Sequence, residues 1–196
     1  LKDYIDLLFK WHEKNNILST RNRKYFLQRD MHDSLSILNY LPRGNVLDIG
    51  TGAGIPGMLL SFFTTDNIIL LDRRQNAIRF LEHAKLKLGL NNVRIIKSDI
   101  NEMNIDESLS CVLIKNFSNK IVSKLSFEDK INYIAKVIRN RIDLNIPIYI
   151  LTGSIALKTK DFSDELKARL RSDFIVTKIQ TPYFDTNRYL LEIRHV

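Results

Sequence analysis

The sequence predicts an α/β fold, a mostly parallel β-sheet with helices on both faces, preceded by a helical cap. Three observations predict it. From residue 45 onward, short apolar runs typical of strands alternate with longer stretches of helical periodicity. The first apolar run, Val46–Ile49, leads directly into a glycine-rich turn. The last two apolar runs have no helical stretch between them, which predicts an antiparallel hairpin at the end of the sheet.

The N-terminal helical cap is predicted over residues 1–44. Apolar residues at helical spacing, from Leu1 to Trp11, predict a first amphipathic helix. A second helix is predicted over residues 24–40, because the stop and turn signal with Pro42 and Gly44 follows it. Residues 45–196 then form the α/β core as one compact unit.

Within the core, strands are predicted where aliphatic residues cluster between turn signals, and helices where apolar residues recur every three or four positions. The predicted strands are Val46–Ile49, Ile68–Leu71, Val93–Lys97, Cys111–Ile114, Ile148–Leu151, Phe174–Gln180 and Arg188–Ile193. The predicted helices are Met58–Phe63, Arg74–Leu88, Phe127–Arg141 and Phe162–Leu170.

Composition narrows the class of protein. The single cysteine, Cys111, excludes an internal disulfide and a cysteine-based zinc site, and its apolar neighbours predict a buried, inert thiol. The formal net charge of +8 favours a phosphate-bearing partner, because neutralising phosphates releases counterions. No apolar run approaches the length of a membrane span, and no histidine has metal-ligand spacing. We expect a cytoplasmic monomer without a metal.

The turn after the first strand carries two motifs at once. Its glycines at 50, 52 and 54 let the backbone approach a ligand where α/β sheets bind nucleotides. From Gly52 to Gly57 it fits the dinucleotide fingerprint, in which a helix N-terminus faces a pyrophosphate. From Asp48 it resembles the first motif of S-adenosylmethionine-dependent methyltransferases. The second motif is favoured, because a buried acid would complement a cationic sulfonium ligand. A tight turn without a ligand is a further alternative.

Further candidate site residues follow the next three strands. Asp72 stands where an acid accepts hydrogen bonds from ribose hydroxyls, and its alternative role is to cap the next helix. Ser98 and Asp99 stand where an adenine ring would lie, or serve only their own loop. Lys115 stands where substrate-facing groups project, and could meet a phosphate or a base edge. Its alternative is a plain surface lysine.

Basic residues lie close to aromatic ones in the predicted cap. Arg29 and three other basic residues surround Tyr25 and Phe26, a combination that suits RNA through phosphate contacts and stacking. A second basic cluster runs from Lys158 to Arg171. The alternative for both clusters is a solvated helix surface.

Several segments together resemble one known family, the bacterial small-subunit ribosomal RNA guanine-N7 methyltransferases, also called the glucose-inhibited division protein B family. The resemblance is strong from Trp11 to Asp99 and includes the Pro-Gly that ends the glycine turn. The matching segments are Trp11 with Asn16, Ile17 and Ser19; Arg29 with Asp33-Ser34-Leu35; the turn from Asp48 to Gly57; Leu71-Asp72; Arg79-Phe80-Leu81; Leu88-Gly89-Leu90 with Asn92-Val93; and Arg188.

The resemblance implies a Rossmann-like class I methyltransferase that moves a methyl group from S-adenosylmethionine to N7 of a guanine in 16S ribosomal RNA, free or in the small subunit. N7 has a free lone pair and loses no proton, so no general base is expected and catalysis consists of positioning. The implied cofactor-binding residues are Asp48, Gly50, Gly52, Gly54, Asp72, Ser98 and Asp99. The implied RNA-binding residues are Arg29, Lys115 and Arg188, of which Arg29 and Lys115 also position the target base.

This chain departs from the family at three places. Asp30 stands where the family has histidine, Lys115 where it has arginine, and Thr152 where it has lysine. Arginine to lysine keeps the charge but loses the planar, bidentate fork. These departures keep open a non-catalytic, RNA-binding relic of the methyltransferase family. Two further alternatives are an NAD-dependent oxidoreductase that uses the same loop and a methyltransferase with a small-molecule substrate.

Overall fold

A computed structural model describes residues 1–115, 122–143, 145–153, 172–180 and 188–195. Their strands form one sheet in the order β3-β2-β1-β4-β5-β7-β6. β7 runs antiparallel to β5 and β6, and all other pairs are parallel, which confirms the predicted sheet and hairpin. The strands are β1 (Val46–Ile49), β2 (Ile68–Asp72), β3 (Val93–Lys97), β4 (Cys111–Lys115), β5 (Ile148–Gly153), β6 (Ser172–Ile179) and β7 (Arg188–His195).

The helices end where local sequence requires it. Asn16 (φ 48°) and Gly89 (φ 64°) adopt the left-handed conformation that ends the first and fifth helices. The described α-helices are α1 (Lys2–Asn15), α2 (Arg23–Phe26), α3 (His32–Ser36), α4 (Gly57–Leu60), α5 (Gln75–Leu88) and α6 (Phe127–Arg139). The predicted helix Phe162–Leu170 and the basic cluster from Lys158 to Arg171 lie outside the described residues.

The centre of the sheet is buried on both faces. Every residue of β1 and β2 is buried, as expected for parallel strands with helices on both sides. On one face, Leu70 of β2 belongs to a cluster with Tyr4 of α1 and Phe80 of α5. On the other face, Leu71 belongs to a cluster with Ile134 of α6. Helix α1 thus shares a core with the sheet, and the division into cap and core stays a prediction.

The predicted helix over residues 24–40 is helical over most of its length, but it is irregular. Between α2 and α3 the chain forms a π-helical turn, Leu27–Met31, and a 3-10 turn, Leu38–Tyr40, follows α3. A π-turn adds a residue to the helical ladder and so changes which side chains face inward. Here both Asp30 and Asp33 are buried, 6% and 1% exposed.

Four strands extend beyond their predicted ends, so that Asp72, Lys115, Gly153 and His195 are the last residues of β2, β4, β5 and β7. Because parallel strands point their carboxyl ends to one edge of the sheet, Asp72 and Lys115 flank the glycine turn that follows β1. The described ends of α4, α5 and α6 lie within three residues of the predicted ones.

Two further observations concern the interior. Cys111 is fully buried, as predicted, and burial raises the pKa of its thiol to about 12. Among the helices of the described residues, none combines the length and the apolar character that crossing a membrane requires.

Candidate functional site

The glycine turn between β1 and α4 is fastened to the end of β2. Gly50, Gly52 and Gly54 have φ angles of 71°, 60° and 90°, which side-chain-bearing residues rarely adopt. Asp72 Oδ2 accepts a hydrogen bond of 2.8 Å from the Gly52 N–H. A carboxylate from the neighbouring strand therefore fixes the backbone conformation of the turn.

Asp48 lies fully buried beneath the same turn. Its Oδ2 accepts hydrogen bonds from the Thr51 hydroxyl at 2.6 Å and from the Gly57 N–H at 2.8 Å. Its Oδ1 is buried without a hydrogen-bond partner in the described part of the chain. Burial raises the pKa of Asp48 to about 6, and the charge of Asp72 acts in the same direction. The first N–H of α4 thus points at a carboxylate inside the protein.

Asp72 also bonds to Arg74, just before the next helix. Its Oδ1 accepts a hydrogen bond of 2.8 Å from the N–H of Arg74, the residue that precedes α5. This bond fixes the residue before α5, but α5 itself has no side-chain capping hydrogen bond, so the capping alternative is wrong. The Arg74 guanidinium also donates to both oxygens, from Nε to Oδ1 and from Nη2 to Oδ2, each at 3.2 Å. Each oxygen thus accepts two hydrogen bonds, and a ribose hydroxyl would have to replace or share the bonds of Arg74. The predicted ribose role stays a prediction.

The loop after β3 lies beside Asp72. The Ser98 N–H donates to the Asp72 carbonyl at 3.2 Å. Asp99 Oδ1 accepts a hydrogen bond of 3.0 Å from the Asn101 N–H, and this bond, the largest of several causes, lowers the pKa of Asp99. The loop role of Asp99 is therefore present, and its adenine role stays a prediction.

A pocket of about 350 Å³ opens over the turn. Residues 50–53 of the turn and residues 16–20 line it, together with Asp30, Arg74 and Lys115. The segment 16–20 is held in place from two sides: the Leu18 N–H donates to His12 Nδ1 at 3.1 Å, and Ser19 accepts from Arg29. The volume suits a small-molecule ligand.

Beside the pocket, three cations and two carboxylates alternate. Lys115 Nζ lies 2.9 Å from Asp30 Oδ1 and 3.7 Å from Asp33 Oδ2. Arg29 pairs with Asp30 at 2.6 Å, and Arg188 Nε donates to Asp33 at 2.9 Å. The structure therefore brings the three predicted RNA-binding residues together. With three positive and two negative groups, this cluster carries a charge of +1.

Lys115 lies at the centre of that cluster, and its side chain is only 2% exposed, so the surface-lysine alternative is wrong. Burial lowers the pKa of Lys115, and the two carboxylates oppose this effect. Burial also acts to raise the pKa of Asp30, but the charges of Lys115 and Arg29 outweigh it and hold that pKa below its usual range. Arg29, with a side chain 20% exposed, is the most accessible of the three cations.

Other predicted site residues differ in their surroundings. Gly50 and Gly52 line the pocket, whereas Gly54 packs below it, where a Cβ would lie 2.4 Å from Met58 Cβ. Phe26 is fully buried, so its predicted stacking on RNA is wrong. Tyr25 is 37% exposed, and the Arg29 guanidinium lies 4.6 Å from its ring centre.

The sequence analysis missed three residues of the site. The Tyr4 hydroxyl donates to the Ala53 carbonyl at 2.5 Å, which ties α1 to the turn. Thr51 bonds Asp48, and Arg74 lines the pocket. The motif could have indicated Thr51 by its position between two glycines. Nothing in the sequence near Tyr4 distinguishes it from a core residue.

The chemistry of the turn suits a cationic ligand better than a pyrophosphate. Two acidic residues at the loop, Asp48 and Asp72, are each less than 5% exposed. A pyrophosphate-binding turn needs a free helix N-terminus, but the Gly57 N–H that begins α4 is bonded to Asp48. A sulfonium and an ammonium group would instead be stabilised by the two acids.

The chain matches known proteins along most of its length. The family model GidB, "rRNA small subunit methyltransferase G", matches residues 1–139. A protein named "Ribosomal RNA small subunit methyltransferase G" from Acinetobacter baylyi is 30% identical over 201 residues, covering 100% of this chain and 87% of that protein. One of the same name from Shewanella halifaxensis is 28% identical over 197 residues, covering 98% and 86%.

The fold also matches a solved structure. The crystal structure of a SAM-dependent methyltransferase from Aquifex aeolicus superposes with a TM-score of 0.61 at 14% identity, covering 95% of this chain and 98% of the other. This likeness confirms the predicted Rossmann-like class I fold.

Proposed function

The chain belongs to the GidB family, the small-subunit rRNA methyltransferases G, and on this premise we propose that it methylates N7 of a guanine in 16S ribosomal RNA. Its cofactor is S-adenosylmethionine. One observation carries the proposal: the glycine turn fastened by Asp72 opens into the same pocket that Lys115 lines from the substrate side. A donor site and a cationic, RNA-facing cluster are thus adjacent.

On the donor side, Gly50 and Gly52 present their backbone to the ligand, and Asp72 accepts hydrogen bonds from its ribose hydroxyls. The loop of Ser98 and Asp99 borders the adenine. When bound, S-adenosylmethionine supplies an electrophilic methyl group. The buried acids beneath the turn favour its positive charge.

On the RNA side, Arg29 and Arg188 contact the substrate from the cluster beside the pocket. Lys115 neutralises Asp30 and Asp33, which in turn hold the two arginines. Since N7 of guanine attacks with its own lone pair, these residues need only align the base with the methyl group. A missing general base is consistent with that chemistry.

The cellular setting follows from the substrate. With 16S ribosomal RNA as the proposed substrate, free or in the small subunit, we expect the enzyme to act in the cytoplasm. We also expect it to act as a monomer.

The reaction is tested with small subunits purified from cells that lack this protein. Incubation with methyl-labelled S-adenosylmethionine should label the 16S RNA, and mapping should find 7-methylguanine at one position. Asp72→Asn should lower the affinity for S-adenosylhomocysteine and slow labelling, because the amide cannot accept all the bonds of the carboxylate. Label on protein, or on another atom of the base, would overturn the proposal.

Two of the alternatives need separate measurements. Calorimetric titration with S-adenosylhomocysteine and with NAD distinguishes the oxidoreductase, which would bind only NAD. A non-catalytic relic would bind small subunits and transfer no methyl group to them.

A further inference from the structure

A groove between α1 and α5 lies outside the site described above. It encloses about 270 Å³ and is lined by Leu7 and Trp11 from α1 and by His83 from α5. The rings of Trp11 and His83 lie 5.6 Å apart at an angle of 30°, and Phe80 supports Trp11 from behind at 5.7 Å. The groove thus has a wall of aromatic rings that the proposed methyl transfer does not use.

Three lysines surround these rings. Lys10, Lys14 and Lys87 line the groove and are exposed, and none of its described lining residues is acidic. A chain of phosphates with planar bases complements such a surface, because every base has a π-face that can stack and each phosphate can be neutralised. An acidic peptide would meet the charges but would leave the rings without a partner.

The groove also adjoins the donor pocket. Asn15 lines the groove, and the next residue, Asn16, lines the pocket. The Asn76 side chain of α5 donates to the Asn15 carbonyl at 3.1 Å and fixes this end of α1 against α5. RNA whose target base enters the pocket can therefore continue into the groove.

We propose that this groove is a second RNA subsite, in which an unpaired base of the substrate stacks on Trp11 and His83. Lys10, Lys14 and Lys87 neutralise the phosphates on either side of that base. The inference rests on the proposed function, since it takes RNA as the substrate.

The stacking is tested by fluorescence. Trp11 is the only tryptophan of the chain, so its emission reports on this groove alone. A single-stranded oligoribonucleotide should quench the emission. Inorganic polyphosphate, which has charge but no bases, should bind without quenching. Unchanged emission on saturation with the oligoribonucleotide would overturn the proposal, and so would equal quenching by polyphosphate.

The charges are tested with a triple variant, K10Q/K14Q/K87Q, and a matched control, K124Q/K136Q/K178Q, which removes three exposed lysines elsewhere. Each phosphate contact with single-stranded RNA contributes about 0.7 to the slope of log affinity against log salt. The groove variant loses three such contacts, so its slope should be smaller by about 2. For methyl transfer to small subunits, KM should rise at unchanged kcat. The control should keep the wild-type slope.

Equal slopes in both variants would overturn the subsite. Binding of the oligoribonucleotide requires no methyl transfer, so this result is independent of the enzyme's activity. A chain that binds RNA through the groove but methylates nothing would contradict only the proposed function. Unchanged affinity for S-adenosylhomocysteine in both triple variants verifies that the donor site is intact.

Discussion

At position 57 the turn leaves no room for a side chain. A Cβ there would lie 2.4 Å from Leu70 Cδ2 and 2.7 Å from Asp48 Oδ2. The same closeness lets the Gly57 N–H reach Asp48. The glycine that ends the motif is therefore required by packing on the buried acid and not only by the approach of a ligand.

Gly57→Ala should destabilise the protein by about 1–3 kcal/mol, because the methyl group forces Asp48 and Leu70 apart. Urea unfolding measures the loss, and calorimetry should show weaker S-adenosylhomocysteine binding. Gly89→Ala is the matched control: it strains a left-handed residue but meets no atom within 4 Å, so it should leave ligand affinity unchanged. A Gly57→Ala protein as stable as wild type would contradict this account.

The buried acid also makes stability depend on pH. The pKa of Asp48 is about 6 in the folded chain and about 3.9 when unfolded. Between these values the folded state binds the proton more tightly, so the stability contributed by Asp48 falls as pH rises from about 4 to above 6. Relative to Asp48→Asn, wild type should lose about 3 kcal/mol over that window.

Chemical unfolding of both proteins across the pH range measures this difference, and the comparison cancels groups common to both. A difference in unfolding free energy that does not change between pH 4 and pH 7 would show that the Asp48 carboxyl titrates normally.

Among the elements, the helical segment before β1 has an irregularity that the sequence does not predict. Apolar spacing predicts a helix over residues 24–40, but that spacing tolerates one inserted residue, so the π-turn Leu27–Met31 leaves no mark on it. For the same reason the burial of Asp30 is not predictable. Its partner Lys115 lies 85 residues away, and nothing local to either residue indicates the pair.

Removing the Asp30 carboxylate should be costly, because Lys115 would then be buried with one carboxylate near it among the described residues, that of Asp33 at 3.7 Å. Asp30→Ala should destabilise the protein by about 3–5 kcal/mol, and Asp30→Ala with Lys115→Met should recover much of that loss. Urea unfolding of wild type, both single variants and the double variant measures the coupling. Simple addition of the two single effects would mean that the ion pair contributes nothing specific.

Over the whole molecule, the proposed donor half of the site was more predictable from the sequence than the proposed RNA half. The residues from Asp48 to Gly57 are contiguous, so the motif alone locates them at a strand end. Arg29, Lys115 and Arg188 come from three distant parts of the chain, and only the resemblance to the family groups them. The family model itself ends at residue 139, before β5, β6 and β7.

Salt should weaken binding of the RNA substrate much more than binding of the cofactor. With a net charge of +8 and a polyanionic substrate, the KM for small subunits should rise steeply as salt increases. The affinity for S-adenosylhomocysteine should change little, since that ligand carries no phosphate. Steady-state kinetics and calorimetry over the same salt series measure both. A KM that is insensitive to salt would favour a small-molecule substrate instead.

The contact between Arg188 and Asp33 joins residues 155 positions apart. During synthesis, the cofactor turn emerges from the ribosome long before β7 does. A nascent chain can thus fold its donor pocket while the arginine that fastens the opposite wall is still untranslated.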